Sequence, residues 1–175
     1  MATLVLTALG DDQTGLVDAL ARAISDHGGN WERSHMAQLA GKFAGVVVAT
    51  VPDNRSDELV GALEPLQAQG LLDITVEIAE APAPATPTAL FTIDLVGQDR
   101  LGIIAELAHG LAAIGVSIDE LSTETRDAPM AGGLLFEAHA NVTGPPSLTV
   151  HGIEDALSDL GRDFQIDVAG PLGPS

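Results

Sequence analysis

The chain contains one arrangement of residues twice, and this repeat constrains the fold more than any other feature of the sequence. The segment LGDDQTG at Leu9–Gly15 returns as VGQDRLG at Val96–Gly102. Each copy follows an apolar run and opens an amphipathic helical pattern that ends at a glycine, Gly28 or Gly115. Repetition of one supersecondary unit predicts a duplicated domain.

Each copy predicts the element order βαββαβ. In the first copy the pattern predicts strands at 3–9, 30–39, 42–51 and 73–78, and helices at 16–27 and 56–70. In the second copy it predicts strands at 90–96, 116–125, 133–142 and 164–168, and helices at 103–114 and 150–160. We expect Asp11, Asp12 or Thr14 to cap the first helix and Ser56 to cap the second. Pro65 is expected to kink the second helix or to end its regular part.

This order predicts an α+β chain of two ferredoxin-like units, each a four-stranded antiparallel sheet with two helices on one face. The predicted units cover residues 1–80 and 89–169. A proline-rich linker joins them at 81–88, and a disordered tail follows at 170–175. Each unit is small and leaves one sheet face uncovered, so we expect pairing of the units or of two chains, and a homodimer.

Composition excludes several classes of function. The net charge is −18, which opposes binding to nucleic acid or to an anionic membrane; it can serve solubility or provide a face for a basic partner. The chain lacks cysteine, and its five histidines show no metal-binding spacing. No segment has the pattern of a membrane span or of a secretory signal. We therefore expect a cytoplasmic protein that holds neither a metal nor a cofactor.

The two strand-to-helix turns carry the candidate binding residues. Gly15 and Gly102 fall at the first turn of each helix, where a side chain would block the close approach of a ligand. Backbone N–H groups at a helix start can bind a carboxylate. The alternative is that Asp12 and Asp99 only cap the helices and that the glycines only pack.

One polar residue follows the first helix of each copy. Asn30 and its counterpart Ser117 are short side chains that could bind an amine or a carboxylate beside the first helical turn. The alternative is that Asn30 is an ordinary turn residue. The sequence shows no nucleophile, phosphate loop or other catalytic constellation.

Tandem βαββαβ units with D-x-x-G at the first turn resemble ACT domains, the small-molecule sensor modules of amino-acid metabolism. The segments GNWERSHMAQLAGKFAG (29–45) and GVSIDELSTET (115–125) resemble the glycine cleavage system transcriptional repressor family, whose members are two ACT domains and little else. The resemblance covers about residues 2–169. It implies ligands bound at interfaces against the first turn and first helix, and action on a DNA-binding activator rather than on DNA.

The resemblance assigns ligand binding to residues of both copies. These are Asp12, Gln13, Thr14, Gly15, Leu16 and Asn30 in the first copy, and Asp99, Arg100, Leu101, Gly102, Ile103 and Ser117 in the second. The turn of the family often reads D-R-P-G, and the first copy has Gln13 where arginine is common. We therefore expect unequal binding, with the first copy as the better amino-acid site.

Together these features predict a non-enzymatic regulatory protein. It would sense an amino acid, glycine or serine, and act through contacts with a transcription activator or an enzyme. One alternative is an acylphosphatase of the same fold, which the absence of arginine from residues 10–15 opposes. Others are a regulatory subunit of a separate amino-acid enzyme and an interaction module without a ligand. We expect Gly15→Val to abolish a ligand response without unfolding the protein.

Overall fold

A computed structural model describes residues 1–79, 88–128 and 132–172 of the 175-residue chain. The chain divides into two compact units, unit 1 (Met1–Pro84) and unit 2 (Ala85–Ser175). The predicted linker lies outside the described residues except for residue 88, as do residues 173–175 of the predicted tail.

The described residues of unit 1 form four strands and two α-helices. They are β1 (Ala2–Asp11), α1 (Leu16–Asp26), β2 (Asn30–Leu39), β3 (Lys42–Val51), α2 (Ser56–Ala68) and β4 (Asp73–Ile78). The strands form one antiparallel sheet in the order β2-β3-β1-β4. Alternate residues of β1, Leu4, Leu6 and Ala8, are buried in a core with the apolar residues of both helices.

Unit 2 repeats this architecture. Its elements are β5 (Ala89–Gln98), α3 (Ile103–Ala113), β6 (Ser117–Asp127), β7 (Leu134–Gly144), α4 (Val150–Ala156) and β8 (Phe164–Leu172). The antiparallel sheet has the order β6-β7-β5-β8, and the core is formed in the same way around β5. The predicted fold class, two ferredoxin-like units, is therefore confirmed.

The starts of α1 and α3 differ from the prediction. The N-cap residues are Gly15 and Gly102, in the left-handed conformation with φ of 96° and 88°, and neither helix has a side-chain cap. The prediction that Asp11, Asp12 or Thr14 caps α1 is wrong. A capping side chain acts from an N-cap residue with extended backbone, and here that position is a left-handed glycine.

The start and the middle of α2 also differ from the prediction. Ser56 is the first residue of the helix rather than its cap, and its Oγ donates a hydrogen bond to the Asp53 carbonyl oxygen at 3.0 Å. Pro65 does not end the regular helix, which continues to Ala68. Both Pro65 and Gly61 are exposed, so the Gly61 carbonyl that loses its usual N–H partner can bond to solvent.

The last two elements have other bounds than predicted. α4 ends at Ala156, because the following SDLGRD (158–163) is rich in residues that favour turns. Thr149 caps this helix, accepting a hydrogen bond from the Gly152 N–H at 3.1 Å. β8 extends to Leu172, which pairs with Leu90, so the prediction of disorder is wrong for residues 170–172.

The sheet faces opposite the helices differ between the units. In unit 1 this face carries Val5, Val46 and Val48, and Val46 is 42% exposed. In unit 2 the corresponding face is polar, with His139 Nδ1 2.7 Å from Asp94 Oδ1. The two copies therefore share a backbone but present chemically different surfaces.

Candidate functional site

The turn between β1 and α1 is fixed at both ends and exposed between them. The Asp12 N–H donates to the Gly41 carbonyl oxygen at 2.9 Å, which ties the turn to the β2–β3 hairpin. Leu16 is buried and anchors the start of α1, whereas Gln13 and Thr14 are exposed. Without a capping side chain, the first backbone N–H groups of α1 are available for a carboxylate.

The backbone at residue 15 has a left-handed conformation that favours glycine, and the lack of a side chain leaves the space beside it open. A Cβ added at this position would meet no atom within 4 Å, apart from its chain neighbours. Its φ of 96° is a conformation that β-branched residues rarely adopt. Gly15→Val would therefore strain the backbone as well as fill the space, so we expect the loss of ligand response to be accompanied by a loss of stability.

The equivalent turn of unit 2 is closed by its own side chains. The Asp99 N–H donates to the Leu134 carbonyl oxygen at 2.8 Å, as in unit 1. Arg100 then donates from both terminal nitrogens to the two carboxylate oxygens of Glu106, each at 2.7 Å. Such a bidentate pair is the strong form of a charge-assisted hydrogen bond.

Arg100 also contacts the start of β8. Its guanidinium carbon lies 5.5 Å from the centre of the Phe164 ring, within range of a cation–π interaction. Its Nε is buried and has no hydrogen-bond partner among the residues that the structure describes, and Asp163 Oδ2 lies 3.7 Å from it. The hydrogen bonds from Arg100 lower the pKa of Glu106, and the same bonds raise the pKa of Arg100.

The remaining predicted residues of the unit 2 turn have opposite environments. Leu101 is 97% exposed, whereas Ile103 is buried in the core. Gly102 provides the left-handed start of α3. Ile103 thus corresponds to the buried Leu16 and Leu101 to the exposed Thr14, so the difference between the two turns lies in Arg100 and its contacts.

Asn30 does not lie beside the first turn of α1, and the sequence expectation is wrong on this point. Asn30 pairs with Thr50, which pairs with Thr3 at the start of β1, whereas the turn follows Asp11. The separation is about eight residues of strand, or about 26 Å. The cause is that α1 runs back along the sheet, so the residue after it lies at the far end.

Ser117 is placed in the same way in unit 2. It pairs with Thr143, which pairs with Leu90 at the start of β5, away from the turn after Gln98. Within one unit, a single small ligand therefore cannot contact both the turn and the residue that follows the helix.

Asn30 instead belongs to a polar group at the other end of unit 1. Its Nδ2 and the Thr50 Oγ1 both donate to Glu32 Oε1, each at 2.9 Å. These hydrogen bonds, with that from Asn30 the stronger cause, lower the pKa of Glu32.

A cleft that the sequence did not indicate lies beside the turn of unit 1. Its volume is about 450 Å³, within the range of small-molecule pockets. The lining residues come from the ends of β1, β3 and β4 and from the end of α2: Leu9, Gly10, Asp11, Lys42, Gln67, Gly70, Leu72 and Asp73. Sequence patterns missed them because they are far apart along the chain.

The described ranges contain no group of three or more histidine, aspartate or glutamate side chains that could hold a metal ion. In the same part of the chain, every helix is too short or too polar to cross a membrane.

Residues 2–77 match the family model of the ACT domain. The chain has a tandem ACT fold. The second ACT-like unit repeats the strand order of the first, β6-β7-β5-β8 against β2-β3-β1-β4. A solved structure of an unknown protein from Galdieria sulphuraria is similar over 95% of this chain and 96% of its own, with a TM-score of 0.80 and 29% identity.

Two curated proteins are similar to this chain over most of its length. The glycine cleavage system transcriptional repressor of Escherichia coli is 26% identical over 160 residues, which cover 90% of this chain and 83% of the repressor. The phosphoserine phosphatase SerB2 of Mycobacterium tuberculosis is 25% identical over 174 residues, which cover 95% of this chain but only 40% of the phosphatase. The predicted resemblance to an ACT regulatory protein is thus confirmed.

Proposed function

We propose that this protein is a non-enzymatic regulator that senses an amino acid, glycine or serine, and acts through contacts with another protein. The observation that carries the proposal is the open first turn of the first ACT domain. There, uncapped N–H groups of α1 and the space above Gly15 offer a binding place for a carboxylate.

The unequal turns support a sensor with one principal site. In unit 2, a ligand carboxylate at Arg100 would have to displace Glu106, which holds both guanidinium nitrogens. In unit 1 the counterpart of Arg100 is the exposed and uncharged Gln13. The first ACT domain is therefore the better candidate for ligand binding.

Charge and similarity together support action on a protein. With 25 acidic and 7 basic side chains, the chain opposes the approach of DNA phosphates. The similar E. coli protein is named a transcriptional repressor. Regulation through a DNA-binding activator, rather than through DNA itself, is compatible with both facts. We propose that the protein acts as a homodimer, since the valine face of the unit 1 sheet is partly exposed.

Thermal unfolding with each of the twenty amino acids at millimolar concentration tests the proposal. A ligand at 100 times its Kd stabilises the folded state by about 2.7 kcal/mol, which raises the midpoint by several degrees. We expect glycine or serine to give this shift and glycinamide, which lacks the carboxylate, to give none. A flat response to all twenty amino acids would refute amino-acid sensing.

A second function, regulatory subunit of an amino-acid enzyme, is favoured by the phosphatase match. The matched region forms less than half of that enzyme, so this fold also occurs as one part of a catalytic protein. Co-purification of the tagged chain separates the two functions. Recovery of a transcription activator supports the first, and recovery of a metabolic enzyme supports the second.

A further inference from the structure

The cleft of unit 1 has no equivalent set of charges in unit 2, although the backbone positions correspond. Strand pairing defines the correspondence, because Asp11 pairs with Lys42 as Gln98 pairs with Leu135. The pairs Leu9–Asp73 and Val96–Gln165 correspond in the same way. All three charged groups of the cleft are thus replaced by neutral residues in unit 2: Asp11 by Gln98, Lys42 by Leu135 and Asp73 by Gln165.

The same position is filled by an aromatic ring in unit 2. Phe164 corresponds to Leu72, and a Cβ added at Gly97 would lie 2.3 Å from the Phe164 ring. The Arg100 guanidinium lies over this ring, 5.5 Å from its centre. In unit 1 the smaller Leu72 takes this position and lines the cleft together with Gly10.

The polar groups of the cleft include both signs of charge. Lys42 Nζ donates one hydrogen bond to Asp11, and the ammonium group has two further hydrogens. Asp73 adds a second, exposed carboxylate at the start of β4. The Gln67 side-chain amide donates a hydrogen bond to the Ile74 carbonyl oxygen, which fixes the end of α2 against β4.

We propose that this cleft binds the zwitterionic head of an α-amino acid with a small side chain. Lys42 would receive the carboxylate and Asp73 the ammonium group, while Leu9 and Leu72 provide the apolar wall. The inference rests on the proposed function, amino-acid sensing by unit 1, and names the cleft beside the first turn as the place where both charges of the ligand are met. It predicts one such site per chain, since unit 2 has neutral residues at the three corresponding positions and an aromatic ring in place of Leu72.

Isothermal titration with glycine and L-serine, on the full chain, tests the location. Leu72→Phe copies the ring of unit 2, and Asp73→Gln copies its neutral residue. Each is expected to weaken binding by about tenfold or more. Asp73→Gln removes one charge-assisted contact with the ligand, and Leu72→Phe fills part of the space for it. Ethylamine and propionate, each with one of the two charges, are expected to bind more weakly than glycine.

Glu77→Gln is the matched control for Asp73→Gln. It lies on the same strand and makes the same change of charge about 13 Å away. Its affinity is expected to equal that of the unchanged protein. Phe164→Leu, the reverse exchange in unit 2, is expected to leave one site per chain, because the charges are still absent there.

The outcomes separate the location from the function. Unchanged binding by both Leu72→Phe and Asp73→Gln would overturn the cleft while amino-acid sensing stands. Absence of binding by the unchanged protein would overturn both. Should Leu72→Phe fail to fold, the exposed Asp73→Gln decides the question alone.

Discussion

Arg100 determines what the unit 2 turn can bind, because the side chain is already committed to three neighbours. It forms a bidentate pair with Glu106, contacts the ring of Phe164 and lies near Asp163. The sequence alone indicates that an arginine at this turn can bind a carboxylate. It does not show that the Glu106 carboxylate, six positions later, already binds this arginine, since that contact depends on the direction of α3 after the turn.

Glu106→Gln is expected to destabilise unit 2 at neutral pH but not in acid. The folded-state pKa of Glu106 lies below its ordinary value, so its stabilising effect is full above the unfolded pKa of about 4.3. It is lost as pH falls through the folded pKa. Urea unfolding at pH 7 and near pH 3 measures the difference between the variant and the unchanged protein.

Glu64→Gln, at an exposed glutamate of α2, is the control for the loss of one negative charge. It is expected to change the urea midpoint little at either pH. A Glu106→Gln effect that persists undiminished near pH 3 would show that the Arg100–Glu106 pair does not cause it.

At the scale of elements, alternation and helical periodicity predict the eight strands and four α-helices that the described residues form. The wrong predictions concern residues whose neighbours are determined by the tertiary fold rather than by the local sequence. Asn30 was assigned to the turn because it follows α1 along the chain, but the antiparallel register carries it to the other end of the sheet. The cleft was missed for the converse reason, because Asp11, Lys42 and Asp73 meet only after three strands pair.

The starts of α1 and α3 show a further limit of prediction. The sequence placed Gly15 in the turn but assigned the capping role to the polar residues before it. The left-handed backbone of Gly15 takes over the N-cap position, and its lack of a capping side chain leaves the helix start open. The N–H groups of the candidate binding site are thus left without a partner side chain because a glycine stands where a capping residue is usual.

Gly15→Ala is expected to destabilise the protein by about 1–2 kcal/mol, the cost of a left-handed L-residue. Gly15→Asn should cost less, because asparagine adopts this conformation more readily. Neither change meets a steric obstacle, since the position is open. Chemical denaturation measures both.

Gly61→Ala is the control, and it is expected to change the free energy of unfolding in the opposite direction. Gly61 lies within α2 with open space around its Cβ position and no positive φ. Alanine there is expected to stabilise by about 0.5–1 kcal/mol through helix propensity. Equal effects of alanine at Gly15 and Gly61 would contradict the role of the left-handed conformation.

At the scale of the whole molecule, duplication followed by divergence explains why one fold offers two different turns. The backbone repeats, with the same strand order and the same glycine starts, while the side chains that touch the turn have changed. The fold class could be predicted because it depends on pattern. The sequence also predicts unequal binding, from Gln13 in one turn and Arg100 in the other, but it does not predict the contacts that distinguish the two turns. Those contacts depend on side chains from β8 and α3 in one unit and from β3 and β4 in the other.

The net charge of −18 predicts that added salt stabilises the protein. Two effects oppose each other: salt screens repulsion among the acidic groups, and it also weakens surface ion pairs. Exposed pairs such as Arg22–Asp18 contribute about 0–1 kcal/mol each, and seven basic side chains permit few of them. Repulsion among the excess carboxylates should therefore dominate, and the Tm should rise as salt is added.

Calorimetry between about 0.01 M and about 1 M sodium chloride, where the Debye length falls from about 30 to about 3 Å, measures this effect. The same series near pH 4 is the control, because protonation of the carboxylates removes the repulsion that salt would screen. We expect a rise in Tm at pH 7 and a much smaller one near pH 4. A fall in Tm with salt at pH 7 would mean that the acidic side chains are arranged so that attraction to the few basic groups outweighs their mutual repulsion.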